Sequence, residues 1–276
     1  MPISAAPSAV CSWSLQASDP AELVTRVKAT GANAVQLALT PIVESPQRWS
    51  GVFDALGQAG IEVASGMLET VGEDYSTLET IRATGGVVPD ASWSATRARA
   101  AEVARIAGSH RIGLVTFHAG FIPHEASATR AKLFDRLREV GDLFANEGAR
   151  IALETGQESA DTLAQALDAL GEDSIGVNFD PANMILYGMG DPVRAVASLA
   201  PRILQVHIKD ALPTVTAGTW GSEVCVGTGA VDWSAFFAAL AAVPASLRLA
   251  VEREAGDQRV PDIRAALALV ERCRSS

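Results

Sequence analysis

Four residues able to bind a cation stand at or beside the ends of four short apolar runs: Glu154 closes IALE, Asp180 closes IGVNFD, His207 lies in QVHIKD and Glu252 closes LAVE. Read singly, each has an ordinary explanation. A carboxylate at a strand end is commonly a helix cap or a salt-bridge partner, and a strand histidine can simply be hydrogen-bonded in the core. The joint pattern says more. On four consecutive parallel strands these side chains would converge on one quadrant of a common rim. Three carboxylates that close would repel one another by several kcal/mol at an effective dielectric of about 20, and a cation resolves the conflict. Three carboxylates and one imidazole make a hard donor set. It suits one divalent metal ion, Mn2+, Mg2+, Co2+ or Zn2+, with positions left for water and substrate oxygens.

Other residues fall where they could serve the same rim. His118 ends the run TFH and is a candidate to bind substrate or a metal-bound water. Lys209 follows His207 by two positions, so on a strand it shares the inward face. There it could neutralise an enolate, act as an acid or pair with a site carboxylate. Asn183, in DPAN, is either a substrate hydroxyl's partner or a turn residue. Trp13 could stack on the C–H face of a ring-shaped substrate or merely pack. Glu69, Glu73, Asp74 and Tyr75 lie in one long segment and Trp220 and Glu223 in another, where they could line or cover a pocket.

The elements that must position these groups alternate. Strand candidates are residues 9–15, 34–39, 61–67, 112–118, 150–154, 175–180, 203–208 and 247–252, separated by stretches with helical apolar spacing. Their nearly continuous apolar character is that of strands buried on both faces. Helix starts are marked by Asp19-Pro20, Asp191-Pro192 and Asp232, and stops by Gly31, Gly60, Gly148 and Gly171. Eight strand and helix repeats predict a single (β/α)8 TIM barrel over residues 1–276, not an open doubly wound sheet, and the first strand lacks a GxGxxG turn. Two connections, 68–90 and 209–231, are longer than a barrel needs, and both follow strand C-termini, the face where barrels carry their sites.

Composition narrows the partners. The chain has 276 residues, 48% apolar and 20% charged, and a formal charge of −10 without a Lys/Arg run, so nucleic acid is a poor partner. Cys11, Cys225 and Cys273 are far apart with no CxxC pair, which fits reduced thiols. No basic segment leads into an apolar block at MPISAAPSAV and no apolar run is long enough to span a membrane, so a cytoplasmic location is expected.

The strings IALET, GVNFDPANM, VHIKDA, EVCVGTGAVDW and LAVERE resemble the sugar phosphate isomerase/epimerase family, the xylose isomerase-like barrels that include ketose 3-epimerases, inosose dehydratase and endonuclease IV. The resemblance covers most of the chain and is strongest from 112 to 254. It implies that Glu154, Asp180, His207 and Glu252 bind the metal, that Glu154 and Glu252 are the catalytic pair, and that the substrate is a small sugar or polyol. Two carboxylates on opposite flanks of a metal-polarised hydroxy-carbonyl group can take a proton from one face and return it on the other, through an enediolate, or deliver it to a leaving hydroxyl. Isomerisation or epimerisation is the first expectation. Dehydration or β-elimination on an inosose or 3-keto-glycoside is the alternative.

Two departures from the ketose 3-epimerase pattern stand out. Asn183 occupies the place of a histidine, and KDALPTV lacks the arginine expected soon after His207. The endonuclease branch, which uses many histidines, does not fit a chain with only His110, His118, His124 and His207. A barrel that only binds a sugar or a regulator is disfavoured by the intact acid and histidine set. No phosphate cradle is visible, since GTG at 227–229 leads into Val231-Asp232 and not into a GK[ST] element. Barrels of this kind commonly pair, so a homo-oligomer is compatible with the resemblance.

Overall fold

The structure, a computed structural model, describes residues 8–216, 218–243 and 247–275. Most of the MPISAAPSAV segment, from which the absence of a leader was read, lies outside the described residues. Ten strands are present among the described residues: β1 Ala9–Cys11, β2 Ala34–Ala38, β3 Glu62–Met67, β4 Leu114–Phe117, β5 Arg150–Glu154, β6 Ile175–Phe179, β7 Ile203–Ile208, β8 Asp210–Leu212, β9 Ser222–Val224 and β10 Arg248–Val251. Eight of them close a parallel barrel in the order β1-β10-β7-β6-β5-β4-β3-β2, and β8 and β9 form a separate antiparallel ribbon. The helices are α1 Pro20–Thr30, α2 Thr40–Glu44, α3 Val52–Gln58, α4 Leu78–Thr84, α5 Asp90–Ser109, α6 Ala128–Asn146, α7 Ala160–Leu170, α8 Pro181–Tyr187, α9 Pro192–Leu199, α10 Trp233–Leu240 and α11 Arg259–Ser275. No helix among the described residues is long and apolar enough to cross a membrane.

The helix signals act as local chemistry requires. Asp19, Asp191 and Asp232 each accept a backbone N–H of the first turn of α1, α9 and α10, satisfying donors that the helix leaves open. Several sequence expectations are corrected. The first predicted strand, 9–15, stops at Cys11, and Trp13–Leu15 is a 3-10 turn that carries Trp13 over the barrel mouth. Segment 68–90 contains α4, and segment 209–231 contains the β8–β9 ribbon.

Strand alternation divides the buried residues into two environments. Outward positions such as Val35, Leu37, Val115, Phe117, Leu153, Phe179, Val206 and Val251 join one large apolar cluster with the helices. Inward positions are small or polar: Ala9, Cys11, Ala34 and Ala250 form a small second cluster, and Gln36, Ser65, Thr116, Asn178 and Gln205 bond to one another beneath the mouth. Gln205 lies at the centre, its Nε2 donating to Gln36 Oε1 and Asn178 Oδ1 while its Oε1 accepts from Ser65 Oγ. This polar floor takes the place of the branched aliphatic layers usual in such barrels. It gives the residues above it hydrogen-bonding partners from below.

Candidate metal centre and active site

Inward positions recur every second residue along a strand, so on four neighbouring strands a lower inward residue is followed by one at the mouth: Ala152 by Glu154, Asn178 by Asp180, Gln205 by His207 and then Lys209, and Ala250 by Glu252. Register brings the four strands side by side, with Glu154 opposite Asn178 and Ala250 opposite His207. One ligand atom from each of Glu154, Asp180, His207 and Glu252 then falls within 4.8 Å of the others, and all four residues are buried. His207 Nδ1 lies 3.4 Å from Glu154 Oε1, 3.6 Å from Asp180 Oδ2 and 3.4 Å from Glu252 Oε2.

Two atoms at the centre of this group lack what buried polar atoms normally have. Asp180 Oδ2 and His207 Nδ1 have no hydrogen-bond partner, an arrangement costly enough to call for an explanation. The other side of each group is fully engaged. His207 Nε2 lies 2.9 Å from Gln36 Oε1, which can only accept, so Nε2 carries a proton, and it is Nδ1 that faces the carboxylates and would present a lone pair to a cation once its own proton is lost. Asp180 Oδ1 caps α8 by accepting from the Asn183 backbone N–H at 2.9 Å, leaving Oδ2 to face inward. A divalent cation among the four satisfies both orphaned atoms and offsets three negative charges. Cys11 with His207 and Glu252 forms a second grouping. It would ligate through Nε2, already bonded, and burial pushes the Cys11 thiol up to about 12, so it stays protonated.

The carboxylates are held from both sides. Glu252 accepts from Trp13 Nε1 at 2.7 Å through Oε1 and from Lys209 Nζ at 2.8 Å through Oε2. Glu154 accepts from Asn183 Nδ2 at 2.8 Å through Oε1 and from Asn178 Nδ2 at 3.3 Å through Oε2. Burial would raise Glu252, but Lys209 and His207 hold it well below the usual carboxylate range. Glu154 is likewise lowered against burial, by His118 and His207. Asp180 is raised, because burial and the neighbouring glutamates outweigh Lys209. Glycine at 156 is what lets α8 come this close: its φ is +139° and a Cβ would lie 2.6 Å from that of Asn183. Thr155 pins the same junction, its Oγ1 accepting from Asp180 N at 2.8 Å and donating to Asp180 O at 3.0 Å.

A cavity of about 510 Å3 opens onto this cluster through Glu154 and Glu252. Trp13, His118, Glu154, Asn183, Lys209 and Glu252 line it, as do Trp220, Glu223, Glu69, Glu73 and Tyr75. Not all of them are free to meet a substrate. Glu223 is tied to Arg253 at 2.7 Å and to the backbone N–H groups of Glu254 and Ala255, so it braces the segment after β10. Asp74 is not among the lining residues, and it accepts from Ser76 N in a turn. Trp13 hydrogen-bonds Glu252, a contact between residues 239 apart that its expected stacking role did not include. His118 sits 3.8 Å from Glu154 Oε2, and Glu154 and Glu73 raise it despite burial. His110 stacks on Phe53, and His124 meets Thr162.

Sequence reasoning passed over Gln36, Asn178, Gln205, Tyr187 and Glu254. For the first three a signal existed, namely one polar residue inside each apolar run AVQLAL, IGVNFD and ILQVHI.

Residues 24–273 match a family profile described as xylose isomerase-like TIM barrel. Among solved structures, the xylose isomerase domain protein from Planctomyces limnophilus shares 30% identity over 91% of each chain, with a TM-score of 0.83. D-psicose 3-epimerase with D-tagatose from Clostridium cellulolyticum H10 shares 12% identity over 98% of this chain and 99% of its own, with a TM-score of 0.71. The structure described as the probable 3-DHS dehydratase AsbF from Bacillus anthracis shares 14% over 96% and 99%, with a TM-score of 0.69. At such identities these last two speak for the fold alone. The sequence finds no match among curated proteins.

Proposed function

Because the chain belongs to the xylose isomerase-like TIM barrel family, we propose that it is a divalent-metal-dependent isomerase or epimerase of a sugar or polyol that works by abstracting a proton next to a carbonyl. One observation carries the reading. His207 Nδ1 and Asp180 Oδ2 are buried without partners in the midst of Glu154 and Glu252, and those two glutamates line a cavity large enough for a sugar. When bound, a divalent ion supplies Lewis-acid polarisation of the carbonyl and stabilises the charge of the enediolate.

The protein's own groups do the rest. Glu154 and Glu252 come from β5 and from the end of β10, on two sides of the cavity floor, and both are ionised at neutral pH, so either can accept a proton. Their hydrogen bonds fix where each oxygen points, which places the base without a cost of reorganisation during the reaction. Lys209 Nζ, 3.4 Å from Asn183 Oδ1 and bonded to Glu252, brings a positive charge to the region between them. Asn183 and His118 are the proposed contacts to substrate hydroxyls, with Trp13 closing the floor.

The alternative, dehydration or β-elimination on an inosose or 3-keto-glycoside, begins with the same abstraction and needs a proton for the departing oxygen. His118, raised above its ordinary value beside Glu154, is placed to supply it.

The deciding experiment strips the protein with a chelator, reloads it with Mn2+ or Mg2+, and follows deuterium uptake from solvent into a panel of keto-sugars by NMR. Metal-dependent exchange at the carbon beside the carbonyl is expected. Glu154→Gln and Glu252→Gln should each lower it by about 10²–10⁴-fold. Product identity then separates epimer, isomer and elimination product. A metal-loaded protein that exchanges no proton in any of them rejects the reading.

A further inference from the structure

The cavity is larger than the reaction needs. A hexose, with twelve non-hydrogen atoms, fills on the order of 200 Å3 at protein-interior density, against about 510 Å3 available. Helix α8 supplies part of the wall, through Asn183, Leu186 and Tyr187. This helix begins at the proposed ligand Asp180, and its first turn presents Asn183 to Glu154. Tyr187 follows Asn183 by four residues, hence on the same face and about 6 Å farther along the axis.

At that level the wall is aromatic and braced. Trp220 meets Tyr187 edge-on with ring centroids 4.7 Å apart, and Tyr187 in turn meets Phe121 at 6.0 Å. Gln157 Nε2 donates to the Tyr187 hydroxyl at 3.4 Å. Gly221 N donates to Leu186 O at 3.1 Å, fastening the residue after Trp220 to α8. Tyr75, on the segment after β3, also lines the cavity and meets His118 edge-on at 6.0 Å.

The charge around this outer region is negative. Among the described residues, Glu69, Glu73 and Glu254 line the cavity, no arginine does, and the one lysine that does, Lys209, is held at 2.8 Å by Glu252 and 2.6 Å by Glu254. Phosphate or carboxylate would be repelled here, whereas aromatic faces favour an uncharged ring.

We propose that the outer half of the cavity is a second binding subsite, in which Tyr187 and Trp220 hold an uncharged ring, aryl or glycosyl, attached to the reacting sugar. The substrate class is then a neutral two-ring compound. The inference rests on the sugar-enzyme reading for its inner half. Its outer half follows from the cavity's size, its aromatic wall and its charge.

The test is isothermal titration of the full-length, metal-loaded protein with matched, unreactive glycosides. Methyl, phenyl and glucosyl glycosides of the gluco, galacto and manno series serve as probes. In at least one series the phenyl or the glucosyl compound should bind about tenfold or more tighter than the methyl one, and which of the two gains identifies the ring. Trp220→Ala and Tyr187→Ala should each bring the ratio towards unity, while Tyr187→Phe, which keeps the ring, should preserve it. Circular dichroism melts confirm that the variants are folded. Ratios near unity in all three series, or ratios indifferent to Trp220 and Tyr187, overturn the subsite. This failure is separable from failure of the enzyme reading. Solvent exchange into free keto-hexoses without any ring preference leaves the enzyme and removes the subsite, and a ring preference without exchange does the reverse.

Discussion

Gln36 Oε1 lies against His207 Nε2 and also accepts from Gln205 Nε2, so it is fixed as an acceptor. That contact decides which nitrogen of His207 faces the three carboxylates. Replacing Gln36 by Leu removes the acceptor and frees the ring to take the other tautomer or turn. Metal affinity, measured by competition with a chelator, should fall about 10–100-fold with the fold intact. An unchanged affinity would mean that the carboxylates alone orient the site. Glu158 offers a residue-scale prediction of another kind, because burial pushes its carboxyl from 4.5 up to about 8. The folded protein then holds a proton that the unfolded chain releases near pH 4.5. Stability from this group is fully present below that pH, is lost as pH rises towards 8, and levels off above. At 1.36 kcal/mol per unit the loss is on the order of 5 kcal/mol at most. Glu158→Gln should therefore raise the melting temperature at pH 8–9 more than at pH 5. Equal pH profiles for the two proteins would show that Glu158 is ionised in the fold.

The segment from 209 to 232 shows how one side chain organises an element. Asp210 accepts from the backbone N–H groups of Ala211, Gly227, Gly229 and Val231 and from Trp233 Nε1, so the whole VGTGAVDW stretch folds onto a single carboxylate. Glycine at 229 is needed because a Cβ there would sit 2.1 Å from Asp210 Oδ1. Asp210→Ala should cost several kcal/mol, since each hydrogen bond to a charged group is worth about 1.5–3 kcal/mol, and should expose this segment to proteolysis before the barrel itself unfolds. Cleavage at wild-type rates would rule out that role. The same segment marks the limit of what the sequence shows. The eight barrel strands were legible because continuous apolar runs of the right length recur, and the clustering of Glu154, Asp180, His207 and Glu252 because they stand at or beside the ends of four of them. The ribbon was not, since three-residue strands rich in glycine and polar groups carry no periodicity. Nor was the polar floor, because strands buried on both faces mask alternation. The bonds from Gln36 and Trp13 join residues 171 and 239 apart, and only closure of the barrel brings them together.

At the scale of the molecule, the proposed metal site would couple folding, proton uptake and metal binding. Without a cation, burial would lower His207, but Glu252 and Glu154 hold the imidazole well above its ordinary value, so it is protonated at neutral pH. The proton occupies the nitrogen that the metal needs. Metal uptake must then release it, and apparent affinity should rise with pH, by up to tenfold per unit, until the raised His207 value is passed. Titration calorimetry of the metal-free protein in two buffers of different ionisation enthalpy reads this directly, and equal heats in both would contradict it. Because the four proposed ligands come from β5, β7 and the junctions after β6 and β10, a bound cation would also tie one side of the barrel together. A metal at about a hundred times its dissociation constant adds ~2.7 kcal/mol, which for a chain of this size corresponds to a rise of roughly 5–10 °C in melting temperature. Asp180→Asn should lose most of that rise while keeping the barrel, because it weakens one of the two orphaned donors and leaves the α8 cap an oxygen to accept from Asn183 N.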